Sequence, residues 1–245
     1  MKIEEIDAVI FDLGGTLYRP ASDLCGLTRQ FMLDVNIEGA NELSEDRIRE
    51  ALIEPNQWLS NYMLENGVDS HWEPSTTEWI EYDIILLKGL GIEENIESHA
   101  MEYQKRWDRF FEELRQPLIE GVREVLQELK QLGFKLGVAS NRFSDPKRFL
   151  QDDNIYNLFG CVEYSGVPGY CKPSPYMLLR VADELGVNPR RCAYVGNIVE
   201  DDCVSAERAQ MIPILLTWID PEEVDKVTTD VVIIDHIEEL LDILR

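Results

Sequence analysis

The 245-residue chain is 44% hydrophobic, enough to bury a sizeable core in one or two domains. Its 47 acidic and 23 basic residues leave a formal net charge of −24, which argues against nucleic acid and anionic membrane as partners and makes any anion pocket a local construction. No apolar run reaches the length of a membrane span, and Met1 to Ile6 lack a secretory h-region. The five cysteines (Cys25, Cys161, Cys171, Cys192, Cys203) show no Cys-x-x-Cys spacing and His71, His99 and His236 are isolated, so a cytoplasmic protein with free thiols and no histidine metal site is expected.

Val9, Ile10 and Phe11 form a short apolar run between Asp7 and Gly14-Gly15, which predicts a strand buried on both faces and then a sharp turn. Asp12 falls at the carboxyl end of that strand, the edge where open α/β sheets bind ligands. From about Pro20 to Arg115 the pattern is helical. One helix is expected around Leu24 to Val35, and a second from the Ser44 cap past Pro55 to Asn66-Gly67. A third runs from Pro74-Ser75-Thr76 to Gly89, and a fourth from Ile96 to Leu114. Their Trp and Tyr residues are read as bundle core.

From Pro117 strands and helices alternate. A helix over Gly121 to Leu132 lines up Val122, Val125, Leu126 and Leu129 on one face and stops at Gly133. A strand over Phe134 to Ala139, a helix over Asp145 to Asn154, a strand over Cys161 to Tyr164 and a helix over Pro173 to Leu185 follow. Next come a strand over Cys192 to Val195, a helix over Glu200 to Ala209, strands over Ile212 to Thr217 and Val231 to Ile234, and a helix over His236 to Leu244. The fold class is α/β. A Rossmann-like parallel sheet with helices on both faces is expected over residues 1–17 and 115–245, with an α-helical bundle over 18–114 inserted after the first strand.

Three later strands end in polar residues suited to one site. Ser140 follows the second, Lys172 opens the helix after the third, and Asn197 follows the fourth with Asp201 and Asp202 close behind. With Asp12 they supply a carboxylate, a hydroxyl, an ammonium and an acidic loop, a set suited to in-line transfer at a small electrophilic centre. Taken singly, Ser140 also reads as a helix cap, Lys172 as a surface lysine and Asp202 as a charge at a helix N-terminus. Arg142 and the Glu200-Asp201 pair read as surface, whereas Tyr18 and Arg19 lie where they could face a substrate.

Asp12-Leu-Gly-Gly-Thr16-Leu17, Val138-Ala-Ser140-Asn141, Lys172-Pro-Ser-Pro175 and Val195-Gly-Asn197-Ile-Val-Glu-Asp-Asp202 resemble, in order, the four motifs of the haloacid dehalogenase-like hydrolase superfamily. The helical insertion resembles the C1 cap of its subfamily I. The resemblance implies a cap that closes over the site and selects substrate, and a phosphatase in which Asp12 attacks phosphorus to give an aspartyl phosphate. It implies Mg2+ held by Asp12, the Gly14 carbonyl and Asn197 or Asp202. It further implies phosphoryl contacts from Gly15, Thr16, Ser140, Asn141 and Lys172, with Lys172 and Ser140 as catalytic partners of Asp12.

Two positions depart from the phosphatase pattern. Gly14 replaces the aspartate that protonates the leaving group, a role worth ~10²–10⁴ in rate, and Asn197 replaces a charged metal ligand. The first expectation is a Mg2+-dependent phosphatase of a small cytosolic phosphorylated metabolite, monomeric or homodimeric. The alternatives are a catalytically weakened protein that binds a phosphometabolite or a protein partner, and a metal-independent dehalogenase of a small halogenated acid.

Overall fold

The computed structural model describes residues 5–20, 23–114 and 116–244. Within them the chain divides into two compact units, one of residues 5–20, 70–72 and 117–244, the other of residues 23–69, 73–114 and 116. The boundary expected at residue 115 lies outside the described residues. None of the described helices is long and apolar enough to cross a membrane, and all five cysteines are free.

The first unit is built on six strands: β1 Ala8–Phe11, β2 Lys135–Ser140, β3 Cys161–Tyr164, β4 Cys192–Gly196, β5 Ile212–Leu216 and β6 Val232–Ile234. They lie in the order β3-β2-β1-β4-β5-β6, every neighbouring pair parallel. The whole of β1 is inaccessible to solvent. Its alternate residues point to opposite faces. Val9 and Phe11 pack with Val122, Val125, Leu126 and Leu129 of α6 (Val122–Gln131) and with Leu240 of α10 (Leu240–Ile243). Ala8 and Ile10 pack with Met177, Leu178, Val181 and Ala182 of α8 (Tyr176–Glu184) and with Ala206 of α9 (Val204–Arg208). Helices on both faces are why β1 reads as an unbroken apolar run. Each such side chain, fully buried, contributes roughly 1.5–3 kcal/mol.

The chain builds the sheet outward from β1 to β3 on one side and from β4 to β6 on the other. The direction reverses between β1 and β4, and the carboxyl ends of those two strands flank the switch-point crevice.

The second unit carries α1 (Leu24–Asp34), α2 (Glu45–Ala51), α3 (Ile53–Asn66), α4 (Thr76–Gly89) and α5 (Ile96–Glu113). Phe31, Met32, Ile48, Leu86, Leu87 and Tyr103 form its core, and Phe31 meets Trp107 edge-on with ring centroids 4.7 Å apart. Trp58 and Trp79 stay half-buried, outside that core. Ser44 and Ser75 cap α2 and α4 through their side chains. Asp83 is a carboxyl buried in this bundle, with Oδ2 unpaired. Burial pushes its pKa well above the usual carboxylate value, and the charge of Asp108 adds to the shift.

Four helices depart from expectation; the one expected over His236 to Leu244 is a 3₁₀ turn, Ile237–Glu239, followed by the short α10. The helix expected over 44–66 breaks at Leu52, because Pro55 has no N–H for the Ala51 carbonyl and its ring crowds that group. Restarting at Ile53 puts Pro55 in a first turn, where N–H groups lack helical partners anyway. α8 begins at Tyr176 behind Pro175, so Lys172 lies in the preceding turn and does not open the helix. The helix expected from Glu200 starts as one wide π turn, Val199–Cys203, before α9.

Candidate active site

Asp12 extends β1 by one residue, its N–H donating to the Val195 carbonyl at 2.9 Å. The chain then doubles back. The N–H groups of Leu17 and Tyr18 donate to the Leu13 carbonyl, and that of Gly15 to the Tyr18 carbonyl. Gly15 has φ +84°, and a Cβ there would stand 2.6 Å from the Asn197 side chain, so the position requires glycine twice over. Gly14 is the opposite case. It is exposed, and a Cβ on it would meet nothing within 4 Å.

Lys172 is set in place by Asn141. The Asn141 Nδ2 donates to the Lys172 carbonyl at 2.9 Å, and its Oδ1 accepts the Lys172 N–H at 2.8 Å. The Lys172 ammonium donates to Asp12 Oδ1 at 2.7 Å, to Asp202 Oδ1 at 2.5 Å and to the Tyr194 hydroxyl at 2.8 Å. Ser140, at the end of β2, is buried beside Asp12 and its side chain favours the ionised carboxylate. All five side chains are buried. The second oxygen of Asp202 accepts the N–H groups of Asn197 and Ile198, each at 2.9 Å. A Cβ on Gly196 would stand 2.2 Å from the Asp202 carboxyl carbon, so glycine there lets the carboxylate fold back against the end of β4.

One ammonium between two buried carboxylates leaves a net negative charge. Burial opposes the Lys172 charge, but the fields of Asp12 and Asp202 outweigh it and hold its pKa well above the ordinary lysine value. Burial raises the pKa of Asp12; Lys172 pulls it back only in part, and Asp202 pushes it further up. Asp201 is half-buried and feels the same three charges. Burial raises its pKa first, with Asp202 and Asp12 adding to the shift against Lys172.

Asp12, Ser140, Lys172 and Asp202 therefore converge. Thr16 and Asn197 also meet, the Thr16 Oγ1 donating to Asn197 Oδ1 at 3.4 Å. Asn141 and Asp202 each have partners within the protein. The carboxamide of Asn141 is engaged with the backbone of Lys172, and the oxygens of Asp202 with Lys172 and two backbone amides. Tyr18 is buried and donates to Asp153 Oδ2 at 2.9 Å, while the Arg142 guanidinium lies 4.6 Å from the Phe149 ring centroid.

Two residues escaped the sequence. Tyr194 lies inside its strand, and its signal is a lone hydroxyl in an otherwise apolar run ending at Gly196-Asn197. Trp218 donates its indole N–H to the Gly15 carbonyl at 2.8 Å, and the Arg19 guanidinium lies 5.7 Å from its ring centroid. Its signal is an aromatic residue just past the carboxyl end of a strand.

Among the described residues no group of three or more His, Cys, Asp or Glu could hold a metal. Asp12 offers a carboxylate, Gly14 a backbone carbonyl and Asn197 a carboxamide. Such hard oxygen donors fit a cation of the Mg2+ type.

The sequence matches the haloacid dehalogenase-like hydrolase family over residues 6–210. It is 29% identical to the glyceraldehyde 3-phosphate phosphatase of Methanothermobacter thermautotrophicus, covering 98% of this chain and 100% of that one. It is 25% identical to the N-acetylmuramic acid 6-phosphate phosphatase of Pseudomonas aeruginosa, covering 100% and 97%. Among solved structures, the 2-haloacid dehalogenase of Pseudomonas syringae pv. Tomato DC3000 superposes with TM-score 0.63 at 19% identity, over 98% of both chains, a likeness of fold. On this match, and on the sheet and crevice described, the chain belongs to the haloacid dehalogenase-like hydrolases.

Proposed function

We propose that the chain is a Mg2+-dependent phosphatase of a small phosphorylated metabolite of the cytosol, acting through a phosphoryl group carried on Asp12. One observation carries this reading: a buried carboxylate at the switch point of a parallel sheet, held by a lysine at 2.7 Å. The names of the two relatives, both phosphatases of small phosphorylated compounds, support it.

In the first step an oxygen of Asp12 bonds to phosphorus while the bond from phosphorus to the leaving oxygen breaks. In the second, water attacks phosphorus, the Asp12–phosphorus bond breaks, and inorganic phosphate leaves with the proton passing to solvent. Lys172 and Ser140 orient the carboxylate and offset the charge gathering between it and the phosphoryl group. Thr16 and the Gly14 amide receive the phosphoryl oxygens, while Gly15, its own N–H engaged with the Tyr18 carbonyl, shapes the loop that presents them. Asn141 and Asp202 act through Lys172, which they hold. Asp12, the Gly14 carbonyl and Asn197 would hold Mg2+, which supplies charge neutralisation for the transferring group. Gly14 brings no carboxyl to protonate the leaving oxygen, so the preferred substrates carry good leaving groups, acyl or aryl phosphates.

A panel of alkyl, aryl and acyl phosphates, with and without Mg2+, tests the reading. Turnover that needs Mg2+ and falls by a factor on the order of 10³ or more in Asp12→Asn is expected. Turnover indifferent to Asp12→Asn overturns it. Halide release from a 2-haloacid without metal would favour the dehalogenase reading, which Asn197 and Gly14 keep in play because a halide leaves without a proton.

A further inference from the structure

The ammonium of Lys172 has three N–H groups and no lone pair. Asp12, Asp202 and Tyr194 accept one each, so nothing on the nitrogen is left over. The Tyr194 hydroxyl oxygen thus accepts a hydrogen bond from Lys172, and its own O–H must donate elsewhere. It donates to the Ala139 carbonyl at 2.7 Å, while Asp202 Oδ1 lies farther off at 3.4 Å. Ala139 is one residue beyond the last β1–β2 pair, Phe11 with Val138, and immediately precedes Ser140. Tyr194 itself stands level with Ile10 in β1. One buried phenol therefore reaches from β4 past β1 to β2, touching the lysine on the way.

We infer that Tyr194 is a positioning residue for the hydrolase reaction: its hydroxyl fixes the direction of the Lys172 ammonium and ties it to the strand end that presents Ser140. The inference rests on the phosphatase reading, in which Lys172 and Ser140 orient Asp12. The bonds to the two carboxylates already restrain the ammonium about its Cε–Nζ bond. The third acceptor completes the set, raising the barrier to turning and keeping the third N–H from competing for Asp12. The same hydroxyl couples the positions of Lys172 and Ser140, which come from different segments and share no direct bond among those described. A phenylalanine keeps the ring and its packing but leaves a lysine N–H and a backbone carbonyl without their partner.

The test is Tyr194→Phe in the full chain. kcat and KM for p-nitrophenyl phosphate are measured with Mg2+, together with the 1H–15N signal of the slowly exchanging Lys172 ammonium, assigned by its loss in Lys172→Arg. The expected result is a kcat lower by roughly 10- to 100-fold, KM within about twofold, and a Lys172 signal lost to exchange. A variant with unchanged kcat, or with the ammonium signal intact, overturns the inference, as does a loss that appears in KM alone. Should Phe unfold the chain, 3,5-difluorotyrosine at position 194 keeps the volume and hydroxyl but weakens the acceptor. A smaller fall in kcat with faster exchange of the same signal is then expected, and no change in either overturns it. If the wild type shows no turnover, the phosphatase reading falls, while the ammonium signal in the two variants still decides whether Tyr194 positions Lys172.

Discussion

At the scale of single residues, Gly14 and Asp202 make opposite predictions. The space around Gly14 is open, so a carboxylate can enter it without moving a neighbour. Gly14→Asp should therefore raise kcat for alkyl phosphates, whose leaving oxygen needs a proton, by up to ~10²-fold, and leave aryl phosphates nearly unchanged. Comparing the two substrate classes in one assay checks this, and an equal change in both would show that no acid had been gained. Asp202 is surrounded on every polar atom. Asp202→Asn removes a charge from a buried pair, and breaking such a pair costs about 3–5 kcal/mol. A lowered urea midpoint and a lower kcat, unaltered by excess Mg2+, are the expected signs. A KM for Mg2+ raised with stability intact would instead make Asp202 a metal ligand.

At the scale of elements, the β1–Gly15 turn and the helical bundle can be tested separately. Gly15→Ala places a methyl against Asn197 at a φ of +84°, so it should destabilise the chain and disturb the Thr16–Asn197 contact together. Circular dichroism melts and kcat are expected to fall in parallel. In the bundle, Asp83 unfolded would lose its proton near 3.8, whereas folded it keeps the proton to much higher pH. The unfolded state then binds fewer protons above 3.8, so this group's contribution is full below that pH and is lost as pH rises toward its folded pKa. Asp83→Asn should flatten that slope, raising the melting temperature by several degrees at pH 8 and changing little at pH 4. The strands were legible because Val9 to Phe11 and Leu136 to Ala139 are short unbroken apolar runs, as a sheet covered on both faces demands, and the α6 face was legible from Val122, Val125, Leu126 and Leu129. The break at Leu52 was not, since a proline in a helical pattern marks a disruption without saying on which side the chain restarts. At the site, Asp12, Ser140 and Lys172 could be named because their spacing follows strand ends. The engagement of Asn141 with Lys172, the double duty of Tyr194 and the burial of Asp83 depend on which side chains meet across the fold, which no local pattern states.

At the scale of the whole molecule, the formal net charge of −24 acts on every anion that approaches. A phosphate ester meets a repulsive field until it reaches the crevice, and salt screens that field over about 8–10 Å near physiological strength. kcat/KM for a doubly charged ester should therefore rise as salt increases from about 20 to 200 mM, whereas an uncharged substrate analogue would bind with little salt dependence. Stopped-flow or initial-rate measurements at matched free Mg2+ check the sign. A fall with salt would place a local positive field at the crevice strong enough to reverse the global one.

The strand that leads into Asp12 precedes both its neighbours by long stretches of sequence: Ala8 pairs with Lys135 and with Cys192. On the ribosome, this segment must wait for both partners before it can be shielded, and such long-delayed pairing is slow and prone to misassembly. Nascent chains that end before β4 should leave Val9 to Phe11 open to protease and chaperone, while the helical segment between them can already settle. The Asp12 carboxylate is thus translated well before the strands that enclose it.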